Sequence, residues 1–123
     1  MRPEERNAAH LWDMLDAARS VREFAGGRTR DEFLSPDREA EMARLAIERK
    51  LEILGEAAGR VSEEFRNNHP EIPWKEIVGL RNVISHQYDK VDYMEVYTIV
   101  RERIPDLIAL IEPLVPPVPG SED

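Results

Sequence analysis

Residues 43–65, ARLAIERKLEILGEAAGRVSEEF, decide how this chain folds. Ile47, Leu51, Leu54, Ala58, Val61 and Phe65 recur at alternating spacings of four and three. At about 100° per residue these positions form one stripe, the pattern of a helix packed lengthwise on other helices. Ala43, Ala46, Ile53 and Ala57 make a second apolar row beside it. A helix that is apolar on two sides belongs at a bundle centre or a dimer contact. Gly55 and Gly59 weaken it by roughly 1 kcal/mol each. Small residues there would let another backbone come close.

Working outward, Ser35-Pro36 is a helix start, with a hydroxyl N-cap followed by proline at the first helical position. The helix is expected to run from there to residue 67 or 68. Asn67-Asn68-His69-Pro70 breaks it, and Pro70-Glu71-Ile72-Pro73 is a rigid connector. Upstream, residues 4–25 read as a first helix with Leu11, Leu15, Ala18, Val21 and Ala25 on one face and Gly26-Gly27 as its C-cap. Thr29 can cap a short turn over 30–34, with Glu32 at the capping-box position.

Downstream, Trp74 opens a third helix reaching about His86, with Trp74, Ile77, Val78, Leu80, Val83 and Ile84 as its apolar set. Residues 87–91 are a short link, and Asp92 caps a fourth helix with Glu95 three residues on. Met94, Tyr97, Val100 and Ile104 give that helix its core face. Pro105 kinks or restarts it, Asp106 suits a first turn, and Leu107, Ile108, Leu110, Ile111 and Leu114 continue the stripe. The fold class is therefore all-α: an antiparallel bundle of four main helices with a short extra helical turn. Residues 1–114 form one domain. Residues 115–123, with Pro116, Pro117, Pro119 and Gly120, are a flexible proline-rich tail.

Composition narrows the function. The chain has no cysteine, which excludes disulfides and thiolate metal sites. No apolar run of about 18 residues exists to span a membrane. The polar, acidic start, Met1-Arg2-Pro3-Glu4-Glu5-Arg6, is unlike a signal peptide, so a cytoplasmic location is expected. Net charge is −8, from 17 basic and 25 acidic residues. RNA held by a whole protein surface requires phosphate neutralisation, which an acidic chain cannot supply. Any RNA contact must use a local basic cleft. The acidic surface otherwise favours solubility or a basic protein partner.

The chemistry-bearing stretch is Arg81-Asn82-Val83-Ile84-Ser85-His86-Gln87-Tyr88. It gathers a cation, an amide, a hydroxyl, an imidazole and a phenol at a helix end. RNA cleavage without a metal needs a base for the 2′-hydroxyl proton, an acid for the leaving 5′-oxygen, and a cation for the phosphorane charge. Histidine can act as base or acid near neutral pH, and arginine can hold the phosphate. Residues five apart on a helix differ by roughly 140° around the axis, so Arg81 and His86 do not share a face. Asn82 and His86 do, as do Arg81 and Ser85. A two-fold dimer would place two Arg–His sets around one cleft.

The other candidates have plainer readings. His10 is expected to be exposed and His69 to sit in a loop; with His86 they lack the i, i+4 pairing of a zinc site. Glu52, Glu56, Glu63 and Glu64 look like a solvated face. Trp74 and Trp12 read as core anchors.

The stretch Arg81-x4-His86-x-Tyr88 resembles the HEPN superfamily motif, Arg followed by His after four to six residues, in its HepT-like form with the added Tyr. Asn82 is typical of it. Leu54-Gly55-Glu56-Ala57-Ala58, His69-Pro70-Glu71-Ile72-Pro73-Trp74, Gly79-Leu80-Arg81-Asn82, Tyr88-Asp89-Lys90-Val91-Asp92 and Ile104-Pro105-Asp106-Leu107 resemble further segments of the same family. The likeness spans roughly residues 8–114, and Leu80 stands where Met is commoner.

The resemblance implies a HEPN-like helical bundle and a metal-independent ribonuclease toxin of a type II toxin–antitoxin pair, homodimeric and without a cofactor. Arg81 and His86 would be catalytic, with Asn82 and Ser85 supporting them. The partner implied is a minimal nucleotidyltransferase antitoxin that transfers AMP from ATP to Tyr88. A bulky anionic group two residues from His86 would block the cleft and repel phosphate. Two other classes compete. One is a non-catalytic, nucleotide-binding partner subunit of a nucleotidyltransferase, which the negative charge favours. The other is a structural dimerisation domain.

Overall fold

The computed structural model describes residues 2–85 and 91–117, and every element in it is helical. Helix α1 covers Pro3–Ala25, α2 Arg30–Phe33, α3 Arg38–Arg60, α4 Glu63–Asn68, α5 Trp74–Val78 and α6 Leu80–Ser85. Helix α7 covers Tyr93–Thr98 and runs through a π-helical turn, Ile99–Arg103, into α8, Ile104–Ile111; a 3₁₀ turn, Glu112–Leu114, follows. The architecture is the expected antiparallel bundle.

Helix α3 is its axis. Ile47, Leu51, Leu54 and Ala58 are completely buried, and Val61 nearly so. Each large side chain withdrawn in this way contributes about 1.5–3 kcal/mol. Helix α1 packs along α3 in the opposite direction, since Asn7 near its start bonds Ser62 beyond the end of α3. It buries Leu11, Leu15, Ala18 and Val21 as the periodicity predicts, and also Met14 and Ala17. Helices α7 and α8 run antiparallel to α1: the Tyr97 hydroxyl donates to the Arg28 carbonyl, and Arg19 pairs with Glu112.

The α5–α6 stretch returns down α3. Phe65 meets Trp74 edge-on at 6.3 Å between ring centroids. The Trp74 indole N–H donates to the His69 carbonyl at 2.9 Å, and Ile72 is the buried residue of the connector.

Several terminators act as read. Gly26 adopts φ +62° and closes α1. Thr29 and Glu32 form a reciprocal capping box around α2. Asp92 accepts from the Met94 and Glu95 backbone N–H groups.

Other expectations need correction. The long helix begins at Asp37, not Ser35-Pro36. Asp37 accepts from Ala40 N–H at 2.8 Å, and Ser35 donates its hydroxyl to Asp37. These bonds to its ionised form hold the Asp37 carboxyl below the ordinary carboxylate range. The helix also ends at Arg60, short of 67 or 68. Val61 is extended, and Ser62 accepts from Phe65 N–H to start α4 afresh. Asn7 rewards that break, because its side-chain carbonyl takes the Ser62 N–H at 2.9 Å.

The third helix divides at Gly79 into α5 and α6, which Gly79 bridges by accepting from Asn82 N–H. Pro105 does restart its helix, through the π turn in which Ile104 N–H bonds the Ile99 carbonyl. That extra residue per turn rotates the face. Val96 and Ile99 join the expected Val100 and Ile104 in the core and Tyr97 packs against it, whereas Met94 is 48% exposed. Trp12 is 38% exposed and anchors no core, while His10 is half-buried. Leu114 and Val115 pack on the core; residues 118–123 of the proposed tail lie outside the described residues.

The Ser62 cap yields a test. Ser62→Ala should lower unfolding free energy by about 1 kcal/mol in urea melts. Asn7→Ala in that background should add less than it does in the parent, because both remove the same bond.

Candidate active site

The site is assembled on α3, and a missing side chain permits it. A Cβ added to Gly55 would stand 2.9 Å from Arg81 Cγ and 3.1 Å from the Ile77 carbonyl oxygen. Only a hydrogen fits, so α5 and α6 close onto α3 and the Arg81 stem lies directly across Gly55. Gly59 differs, since the nearest foreign atom to its Cβ would be Val78 Cγ2 at 4.0 Å. Of the two glycines, Gly55 is the one that admits another backbone.

Leu80, buried beside Arg81, fixes the rotation of α6. That rotation turns Arg81 and Asn82 outward; both are exposed. Gly55 is flanked on α3 by Glu52 and Glu56, each half-buried, and Glu52 pairs with Arg49 at 3.5 Å. Two carboxylates thus lie on the helix that seats Arg81, and the rest of the expected basic cleft includes residues outside the described ones. Ser85 ends α6. Its side chain, His86 and Tyr88 lie outside the described residues, so the structure brings together Arg81, Asn82 and Gly55 only.

Of the other candidates, His69, Glu63, Glu64 and Trp74 lie as expected, whereas His10, Glu52 and Glu56 are half-buried and Trp12 is exposed. His69 is a loop residue, with its ring 4.4 Å from Phe65 and its Nδ1 3.0 Å from Glu71. Glu63 and Glu64 are exposed in the first turn of α4. Among the described residues no cluster of three or more His, Cys, Asp or Glu could hold a metal. No described helix is long and apolar enough to cross a membrane.

A second polar cluster on α3 was not anticipated. Tyr93, first residue of α7, donates its hydroxyl to Glu48. The Arg44 guanidinium carbon stands 5.2 Å from the Tyr93 ring centroid, and its Nη1 donates to the carbonyls of Phe33 and Ser35, each at 2.7 Å. Burial, followed by the hydrogen bond to Glu48 and its charge, pushes the Tyr93 phenol up to about 12. Arg44 and Glu48, four apart on α3, were a weak sequence signal for this cluster. Tyr93, beside the Asp92 cap, carried none.

The sequence matches the ribonuclease HepT-like family over residues 14–114. Helical bundle and match together define the class: an all-α endoribonuclease. The chain belongs to the ribonuclease HepT-like family. It is 39% identical over 104 residues to "Putative RNase MJ1380" of Methanocaldococcus jannaschii, covering 85% of this chain and 92% of that one. Identity to "Putative RNase MJ0127" of the same organism is 31% over 121 residues, 98% and 97% of the two chains. Identity to "Probable ribonuclease HepT" of Thermococcus cleftensis is 33% over 105 residues, 85% and 92%. No solved structure matches the chain.

Two predictions follow from this geometry. Gly55→Ala should reduce RNA cleavage by about ten-fold or more through displacement of Arg81. Gly59→Ala should leave cleavage intact and raise stability by about 0.5–1 kcal/mol, read by urea titration. Separately, Tyr93 favours its protonated form in the folded protein relative to an ordinary value of 10.0. The stability it confers is fully present below pH 10 and should be lost as pH rises towards about 12, a decline that Tyr93→Phe removes.

Proposed function

We propose that this chain is the toxin of a type II toxin–antitoxin pair: a metal-independent endoribonuclease whose site is Arg81-x4-His86-x-Tyr88 at a homodimer interface. The observation that carries the reading is the seating of Arg81. Its stem is fixed across Gly55 and its residue is exposed, inside the segment that matches an RNase family. An exposed arginine seated by its stem suits recognition of a phosphate.

In this reading one His86 takes the 2′-hydroxyl proton and the oxygen attacks phosphorus. The P–O5′ bond breaks, and an imidazolium returns a proton to the departing 5′-oxygen. Arg81 stabilises the charge on the phosphorane oxygens. One imidazole per motif makes a two-fold pairing of chains the natural source of both base and acid. Asn82 and Ser85 support the site by hydrogen bonding.

The antitoxin is a minimal nucleotidyltransferase. The Tyr88 phenol oxygen attacks the α-phosphorus of ATP, pyrophosphate leaves, and the adenylyl group shuts the cleft. The likeness to RNases favours this over a nucleotide-binding subunit, which would have no need of a modifiable phenol, Tyr88, two residues after His86 in the motif.

Expression should arrest growth, and Arg81→Ala or His86→Ala should relieve the arrest while leaving the helical fold intact. Folded variants as toxic as the parent would refute the site. Intact mass after co-expression with a nucleotidyltransferase should rise in AMP-sized steps, and not at all for Tyr88→Phe.

A further inference from the structure

The site has a second anchorage on α3. Positions 48 and 55 are seven residues apart, about two turns and roughly 10 Å along one side of the helix. At position 55 the stem of Arg81 is seated against glycine. At position 48 the carboxylate holds the Tyr93 hydroxyl at the start of α7. His86 falls between them in sequence, five residues after Arg81 and seven before Tyr93.

Three observations set the Tyr93 contact apart from an incidental surface bond. Its acceptor is a half-buried carboxylate, and a hydrogen bond to a charged group is among the stronger kinds. Arg44 lies over the ring and is itself held by the Phe33 and Ser35 carbonyls, so the cluster extends into the loop after α2. Four residues on, on the same face of α7, Tyr97 bonds the Arg28 carbonyl and meets Phe33 at 5.4 Å, which continues the contact one turn further along. Val96, Ile99 and Val100 hold this segment in the core independently of the Tyr93 bond.

We infer that Tyr93 and Glu48 are positioning residues for RNA cleavage. Their hydrogen bond sets where the chain leaves the site on its α7 side, as Gly55 sets where it enters on its α6 side. Neither residue touches the RNA. The inference rests on reading Arg81 and His86 as the cleaving pair.

The test is steady-state cleavage of a fluorophore-labelled single-stranded RNA by the full chain and its Tyr93→Phe, Glu48→Ala, Glu48→Gln, doubly substituted Tyr93→Phe/Glu48→Ala and His86→Ala variants. Tyr93→Phe and Glu48→Ala should each lower kcat about ten- to a hundred-fold, the scale of a misplaced catalytic group, and change KM by about two-fold at most. The double variant should lose no more than either single one, because both remove the same bond. Glu48→Gln keeps an amide oxygen that accepts from the phenol, and should restore kcat to within about three-fold of the parent.

A parental kcat in Tyr93→Phe alongside an inactive His86→Ala would overturn the inference and leave the site reading standing. Losses that multiply in the double variant would overturn it too. So would loss of helical circular dichroism in Tyr93→Phe at the assay temperature, because the bond would then hold the fold and not the site. If His86→Ala cleaves like the parent, the site reading fails and this inference falls with it.

Discussion

The approach of α6 to α3 at Gly55 is the constraint on which the rest depends. A side chain at that position would press on Arg81 Cγ and on the Ile77 carbonyl, so the two helices could not close to their present separation. With hydrogen there, the chain that follows α4 makes three contacts: Trp74 on Phe65 of α4, then Arg81 on Gly55 and Tyr93 on Glu48 of α3. The apolar stripe of α3 supplies the cohesion, and the glycine determines what that cohesion brings to the surface.

Much of this was legible in sequence. The stripe from Ile47 to Val61 is buried as its spacing predicts, and Gly26, Thr29 and Asp92 terminate helices where their chemistry says they should. The misreadings share a cause: tertiary partners outweighed local pattern. Phe65 continues the α3 periodicity, yet the helix breaks before it because Asn7, fifty-five residues away, bonds Ser62. Met94 fits a straight helix, yet the π turn at 99–103 rotates the buried face to Val96 and Ile99. Trp12 has core-forming chemistry, but Leu11 and Leu15 take the inward positions beside it.

The candidate site was legible in a different way. Residue types and the spacing of Arg81, His86 and Tyr88 suggested RNA chemistry, and the family match over residues 14–114 supports the ribonuclease class. Spacing along the chain could not reveal that Gly55 seats Arg81 or that Tyr93 reaches Glu48. These contacts join residues 26 and 45 positions apart, and only the folded bundle brings them together.

An acidic chain with net charge −8 gains little from long-range attraction to RNA. On this account its selectivity resides in a few placed groups, and its chemistry is proton transfer without a metal. The most direct measurement is the nature of the ends it leaves on RNA in the presence of excess EDTA. Attack by the 2′-hydroxyl predicts 2′,3′-cyclic phosphate and 5′-hydroxyl termini, formed at an undiminished rate. Termini bearing a 5′-phosphate, or cleavage that stops in EDTA and returns with a divalent cation, would contradict it.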